Sequence, residues 1–398
     1  MNEHETTLNE RHIGSYLIAI GSVFLFVGSG AALGIADNYL FFLLAIITNI
    51  FEALQQKKSK IHLNIINTFF ILVVVLTVFF MVSGKYDRGS ALSVIMFAAL
   101  FLSIDFDNFN SNDAIVIING VIISSIIFSL LILLQGHEFL YRGTAKYTYT
   151  QTFGSKITFE PNYLGTIISM GVCLSIVLLV NYSTDKKKAL IYVATAIISL
   201  VGVMLTGSRS AFVSVTIFGL MLVATMKRSK TKKRIILIIV LLFTLIFLLI
   251  ALGVIPETIY QRMLASSYVD GSNKKRITDW SYGLKALINN PIVGNGPQPT
   301  LNIIMSQFSF HGDVHNTFLT FGVMFGVVPF ILFIIWTINI TARLFKERQR
   351  LLFSALVAMI FEWNILACQF TVSMWLMLII CVASTSNSSY IARRQFRM

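Results

Sequence analysis

Charge-free apolar runs recur along almost the whole chain and dominate its pattern of hydrophobic and polar positions. About 20 apolar residues in an α-helix cross the hydrocarbon core of a bilayer. The runs lie at about residues 14–34, 38–54, 64–83, 90–104, 114–134, 162–180, 189–206, 211–226, 235–254, 317–338, 351–367 and 369–386. This pattern predicts an all-α polytopic membrane protein with about 12 transmembrane helices, in which residues 1–398 form a single integral membrane domain.

The composition agrees with a membrane protein and excludes two other classes. Of the 398 residues, 56% are hydrophobic and 12% are charged, whereas soluble domains have about 25% charged residues. So little charge excludes a basic nucleic-acid-binding domain and a disordered chain, although the net charge is +13. The polar segment before residue 13 does not resemble a cleavable signal peptide, and we expect the first apolar run to be retained.

The positions of Lys and Arg predict the orientation of the chain. With the N-terminus inside, most of the 31 basic residues fall in cytoplasmic segments, as expected from the positive-inside rule. We therefore expect an N-in/C-in topology with two long segments outside. These are Gln135–Pro161 and a large extracytoplasmic loop at residues 255–316, between the ninth and tenth predicted helices.

Part of the second loop is predicted to be helical. Its apolar residues recur at helical spacing, and an Asn-Asn-Pro sequence at 289–291 ends the pattern. We expect an amphipathic helix that lies on the outer membrane surface or packs on the helix bundle. The apolar positions that define it are Ile277, Trp280, Leu284, Leu287 and Ile288.

The predicted spans contain few ionisable side chains. Glu52 lies at the cytoplasmic end of one span, and Glu362 lies toward the outer end of another. Ion-coupled transporters and pumps usually hold such groups near the bilayer midplane. A proton-coupled carrier is therefore disfavoured, whereas a flippase or polysaccharide exporter that moves a lipid-linked oligosaccharide without ion coupling stays open.

Four polar segments are predicted to meet at the outer membrane surface. They are Phe159–Gly165, Thr206–Ala211, Arg276–Trp280 and His315–Leu319. Arg209 follows a tight turn and is suited to bind a phosphate or diphosphate, although it could also be an interfacial arginine that contacts lipid headgroups. Arg276 has the same two interpretations, and its spacing alone favours a surface charge.

His315 is predicted to open the tenth span. A histidine there can accept a proton from a sugar hydroxyl near neutral pH, or it can merely hydrogen-bond a neighbouring carbonyl. His311 and His315 have the i, i+4 spacing of metal ligands, but no third strong ligand is close in sequence. The three cysteines show no paired spacing, so we expect neither a disulfide framework nor a zinc site.

The ordered set of motifs resembles the O-antigen ligase and polysaccharide polymerase family over residues 162–340. The matching motifs are a Gly-Ser-Arg turn at 207–209, Arg276 with Trp280, a Pro-x-x-Gly-x-Gly sequence at 291–296, and His315 with Asn316. Each motif is weak alone, but their order is specific. The first 150 residues resemble the family in hydropathy only.

The resemblance implies a metal-independent, inverting membrane glycosyltransferase without a cofactor. Its active site would face outward from the cytoplasmic membrane, and its donor would be a glycan on a polyprenyl diphosphate. Two arginines could stabilise the leaving diphosphate, and a histidine could activate the acceptor hydroxyl. The implied catalytic residues are His315, Arg276 and Arg209, and the implied substrate-binding residues are Asn162, Asn316, Arg142, Trp280 and Glu160.

Within this family we favour a polymerase of capsular or exopolysaccharide repeat units, and the alternative is a ligase that transfers the glycan to another acceptor. Flippase and chain-length regulator proteins are expected partners, along with the glycan donor, the acceptor and membrane lipids; nucleic acid is not. A glycan hydrolase would require paired carboxylates, but the acids predicted outside are scattered in sequence. These acids are Glu160, Asp279, Asp313 and Glu362.

Overall fold

The computed structural model describes most of the chain. The regular secondary structure of the described part is helical, with one exception. It covers residues 12–23, 37–55, 64–106, 109–135, 147–150, 156–159, 161–225 and 266–385, with scattered positions between 233 and 253. The helices are α1 Ile13–Val23, α2 Asp37–Gln55, α3 Ile65–Val82, α4 Arg88–Ser103, α5 Ser111–Gln135, α6 Pro161–Asn181, α7 Lys186–Thr206, α8 Arg209–Thr225, α9 Ser266–Asn289, α10 Thr300–Phe308, α11 Thr317–Phe325, α12 Val327–Lys346, α13 Arg350–Trp363 and α14 Val372–Ser384. The exception to the all-α prediction is an antiparallel hairpin of β1 Tyr147–Thr150 and β2 Lys156–Phe159.

The helices are those of a polytopic membrane protein. By length and composition, α3, α5, α6, α7 and α12 can each cross a membrane, and α1, α2, α4, α8 and α14 are shorter apolar helices. In the region of the ninth predicted span, the positions that are described between 233 and 251 are helical. The number of twelve spans and the N-in/C-in orientation remain predictions.

The tenth predicted span, 317–338, is wrong as one continuous helix. The structure divides it into α11 and α12 at Gly326, whose φ is 85° and ψ is −177°. A side chain would be strained at this φ, and Pro329 lies in the first turn of α12, where the missing N–H costs no helical hydrogen bond. Hydropathy alone did not show the break, because both half-helices are mainly apolar.

The Pro-x-x-Gly-x-Gly sequence fills this break in the helix. The backbone N–H groups of Asn295 and Gly296 donate to the carbonyls of Val323 (2.9 Å) and Met324 (2.9 Å) at the end of α11. On the other side, the N–H of Val327 donates to the carbonyl of Pro291 (2.7 Å). A broken helix within an apolar environment needs partners for its freed backbone groups, and this loop supplies them.

Helix α6 forms the centre of the bundle and packs against α5, α7, α8 and α13. Small residues allow close approach, as is common between membrane helices. At Gly165 an added Cβ would lie less than 3.0 Å from the side chain of Ser208, so only glycine lets the α7–α8 turn approach α6 this closely. A second group of buried aromatic rings, including Phe69, Phe321 and Trp336, joins α3, α11 and α12.

The loop between residues 255 and 316 has a small hydrophobic core of its own. Helices α9 and α10 pack on α11 through Ala286, Leu287, Ile303, Ile304, Val314 and Val323. The predicted amphipathic helix is confirmed as α9, but its apolar stripe does not pack on the bundle. Most of that stripe is exposed, with Ile277 and Ile288 at 64% and 65%, and only Leu287 joins the core. The membrane-surface interpretation of the stripe remains a prediction.

Candidate functional site

Arg209 stands at the first position of α8, directly after a sharp turn. Helix α7 ends at Gly207, which has a left-handed backbone (φ 60°), and the N–H of Ser208 is bound by the Thr206 hydroxyl (3.1 Å). Gly207 is suited to this turn because a left-handed conformation costs glycine little. The half-buried guanidinium therefore lies beside the positive end of a helix dipole, a combination that attracts anions.

Asn162 lies next to this turn, as the predicted convergence of motifs requires. The Ser208 hydroxyl donates to the side-chain oxygen of Asn162 (3.2 Å), and the Thr166 hydroxyl donates to the Asn162 carbonyl (3.1 Å). Two motifs that are more than 40 residues apart in sequence therefore share one hydrogen-bonded junction between α6 and the start of α8. Arg142 and Glu160 lie outside the described residues, so their predicted roles remain predictions.

A second group of predicted residues meets where α9 packs against residues 309–315, which we call the strap. The indole N–H of Trp280 donates to the backbone carbonyl of His315 (3.5 Å). Arg276 lies on the same helix one turn earlier and is half-buried. Trp280 is 37% exposed, and its contact with His315 indicates that it holds α9 against the strap.

His315 adopts an unusual backbone conformation at the end of the strap. Its φ is 47°, in the left-handed region that is costly for residues other than glycine, and strain of this kind is concentrated at functional sites. Burial lowers the pKa of His315; Asp313 opposes this effect, and Arg276 and Lys275 add to it. A lowered pKa keeps the imidazole neutral near neutral pH, which is the form that can accept a proton.

Two acids that looked scattered in sequence belong to this same group. Asp313 accepts hydrogen bonds from the Thr300 hydroxyl and from the N–H of Val314 (2.8 Å). Burial raises the pKa of Asp313, and the charge of His315 opposes this rise. Asp279 is completely buried, and burial raises its pKa to about 6; Lys275 opposes this rise and Asp313 adds to it. Asp279 follows Arg276 by three residues, so helical spacing could have placed it on the same face.

Asn316 has a structural role at the start of α11. Its side-chain oxygen accepts from the N–H of Leu319 (2.9 Å), and its side-chain nitrogen donates to the carbonyl of Asn364 (3.2 Å). The neighbouring Thr317 hydroxyl donates to Leu366 (2.7 Å) and accepts from the N–H of Cys368 (2.8 Å). These bonds fix the residue after His315 to the segment that follows α13.

The C-terminal end of α13 connects the two groups of predicted residues. On one side, Asn364 binds Asn316. On the other side, the buried carboxylate of Glu362 accepts from the hydroxyl groups of Ser169 (2.9 Å) and Thr166 (3.5 Å) on α6, one turn below Asn162. The Arg209–Asn162 junction and the strap with His315 are thus joined through one helix end.

An apolar groove of about 870 Å³ begins at this same helix end. Its polar mouth is formed by Asn316 and Asn364, and it follows α12 toward Lys346. Along its length it is lined by side chains that include Phe330, Ile334, Ile338, Phe345 and Phe353. The apolar lining is suited to a hydrocarbon chain, and the polar side chain of Asn316 is part of that lining.

The described part of the chain contains no group of three or more His, Cys, Asp and Glu side chains arranged to hold a metal ion. His311 is exposed on the strap. The interpretation of His311 and His315 as a metal pair therefore gains no third ligand among these residues.

Comparison with protein families identifies the region that contains most of these groups. Residues 194–334 match the O-antigen ligase family. This match confirms the resemblance that the motif order predicted, and it includes Arg209, Arg276, Trp280, His315 and Asn316. Asn162 and Glu362 lie outside the O-antigen ligase match, although Asn162 accepts a hydrogen bond from Ser208 inside it. A comparison with curated proteins finds no match.

Proposed function

We propose that the protein transfers glycans from a polyprenyl-diphosphate donor to a sugar hydroxyl, with inversion, on the outer face of the cytoplasmic membrane. The observation that carries this proposal is the contact of Trp280 with His315, which holds the helix that bears Arg276 against a histidine whose pKa is lowered by burial. This contact would position an activating base and a cation for the leaving group on adjoining elements. The O-antigen ligase match supports a lipid-linked glycan as the substrate.

The reaction follows from the roles that these side chains can fill. His315 removes the proton from the acceptor hydroxyl, whose oxygen attacks the anomeric carbon of the donor sugar. The bond from that carbon to the diphosphate oxygen breaks, and its electron pair stays on that oxygen as the polyprenyl diphosphate leaves. Arg209 and Arg276 stabilise the negative charge that develops on the diphosphate, and no metal is needed for that charge.

The apolar groove supports a donor with a long hydrocarbon chain. A polyprenyl tail in the groove along α12 would place its diphosphate near Asn316 and Asn364 at the polar mouth. Asn316 is bonded directly to His315 in the chain, so the anomeric carbon of the donor would lie close to the base. The paired hydrogen bonds of Asn316 and Thr317 would keep this arrangement rigid.

We further propose that the acceptor is another repeat unit, so that the enzyme is a polymerase. A ligase would use the same residues, and the site does not distinguish the two. The decisive experiment incubates the purified protein in nanodiscs with lipid-linked repeat units. A ladder of products is expected from a polymerase, whereas transfer of one glycan to a distinct acceptor would identify a ligase.

Two pairs of variants test the catalytic roles in the same assay. His315→Ala is expected to lower the rate at least a hundredfold, the usual contribution of a general base, and His311→Ala on the same strap should leave it unchanged. Arg209→Ala should lower the rate to a similar extent, with the exposed Arg348→Ala as its control. Normal product lengths and rates from well-expressed His315→Ala and Arg209→Ala proteins would contradict the proposed mechanism.

A further inference from the structure

Asp279 is a buried carboxylate to which the proposed reaction gives no role. It is 0% exposed, and neither of its carboxylate oxygens has a hydrogen-bond partner among the residues that the structure describes. Buried polar groups in proteins are nearly always hydrogen-bonded, and an ionised carboxylate without such bonds is strongly unfavourable. The fold therefore retains a destabilising group beneath the strap, which calls for a functional explanation.

The position of Asp279 points its carboxylate at the strap. A Cβ added to Gly312 would lie less than 3.0 Å from an oxygen of Asp279. The strap therefore packs against this oxygen at a residue that has no side chain. The next residue, Trp280, donates to the carbonyl of His315. Asp279 thus lies beneath the same seven-residue segment that ends in the proposed base.

The charges around Asp279 limit the chemistry of a ligand. Lys275 and Arg276 face it from its own helix, and Asp313 faces it from the strap. Together with Asp279 these side chains give two positive and two negative charges, so no net positive charge is left to hold a phosphate on Asp279. No three-ligand metal cluster occurs among the described residues. Two oxygens without donors are suited to bind neighbouring hydroxyl groups, which are the donors that a sugar offers.

We propose that Asp279 is a binding residue for the acceptor sugar, whose hydroxyl groups donate hydrogen bonds to its carboxylate while the attacking hydroxyl faces His315. This inference rests on the proposed function and adds the acceptor side of the site. The middle of the strap, around Gly312, moves away from Asp279 when the acceptor binds. Both ends of the strap, Ser309 (φ 53°) and His315 (φ 47°), hold strained left-handed backbone, and the release of that strain favours the movement.

The experiment uses the full-length protein in nanodiscs, with a lipid-free repeat-unit oligosaccharide as acceptor and a labelled lipid-linked donor. Asp279→Asn is expected to raise the KM for the oligosaccharide at least tenfold and to change the KM for the donor less than twofold. Thr278→Val, an exposed neighbour on the same helix, is the matched control and should change neither value. An unchanged KM for the oligosaccharide in Asp279→Asn would overturn the inference.

Thermal unfolding separates binding from folding. Because Asn removes a buried charge, the variant should unfold at the same temperature as the wild type or higher at pH 7.5. A lower unfolding temperature, with equal losses for both substrates, would show a structural carboxylate and would also overturn the inference. Saturation-transfer NMR with the oligosaccharide alone measures binding without turnover. If the wild type binds the oligosaccharide, Asp279→Asn binds it less, and the wild type forms no product, the proposed function is contradicted and this inference is not.

Discussion

Gly294→Ala should be one of the most destabilising single-methyl additions in the protein. Gly294 has a left-handed backbone (φ 76°), and an added Cβ would lie less than 3.0 Å from the backbone of Met324 at the end of α11. The left-handed conformation costs alanine about 1–2 kcal/mol, and overpacking against a backbone that cannot move aside costs about 1–3 kcal/mol more. The expected loss in the free energy of unfolding is therefore about 2–5 kcal/mol.

Gly84→Ala is a matched control for this substitution. Gly84 has nearly the same backbone conformation (φ 73°), but an added Cβ would meet nothing within 4 Å. Only the conformational cost of about 1–2 kcal/mol applies, and the effect of the methyl group on the unfolded chain is the same for both variants. SDS titration in mixed micelles, followed by tryptophan fluorescence, measures both. Equal losses for the two variants would refute the packing of the loop against the break between α11 and α12.

Three further predictions concern the site itself. Asn316→Ala should lower the free energy of unfolding by about 1 kcal/mol through loss of the helix cap, in addition to the loss of its bond to Asn364. Asn316→Ser keeps a capping oxygen and a donor, and it should lower the free energy of unfolding less in the same SDS titration. Arg209→Lys keeps the charge but not the planar donor fork, so its kcat in the ladder assay should fall below that of the wild type and stay above that of Arg209→Ala. The pKa of Asp279 is raised from 3.8 to about 6 in the folded state, so the wild type loses stability as pH rises between these values. Asp279→Asn should therefore gain unfolding temperature relative to the wild type from pH 4 to pH 7, and an equal response of both proteins to pH would contradict the buried carboxylate.

The sequence predicted the helices well because a membrane requires long apolar runs. Most predicted spans correspond to a described helix within a few residues, and α9 ends at Asn289 as the Asn-Asn-Pro sequence indicated. The break at Gly326 was missed because α11 and α12 are both apolar, so hydropathy is the same on the two sides. The available signal was Gly326, followed three residues later by Pro329. Such a pair indicates a helix break only when another segment is known to bind the freed backbone groups.

The candidate site was predicted in part. Ser208, the residue before Arg209, contacts Asn162, and Trp280 connects the helix of Arg276 to His315, so these segments lie together as the motif order indicated. Asp279 was set aside as a scattered acid because its burial depends on the fold of the strap, to which it has no sequence connection. Hydropathy and residue spacing describe the environment along one helix. A buried carboxylate without hydrogen-bond partners arises where two elements pack together, and these patterns do not describe that packing.

Two of the motifs act on opposite ends of one short helix. Helix α11 has nine residues, about 14 Å in length, and is too short to cross a bilayer of about 30 Å. His315 and Asn316 precede its first residue, and the loop with Gly294 and Gly296 holds its last turn. A shift at one end of a helix moves its other end along the helix axis. The loop therefore fixes the position of His315 along the axis of α11, although the loop does not contact the acceptor. A glycine substitution in the loop should therefore lower kcat as well as stability, and Gly84→Ala should affect stability alone.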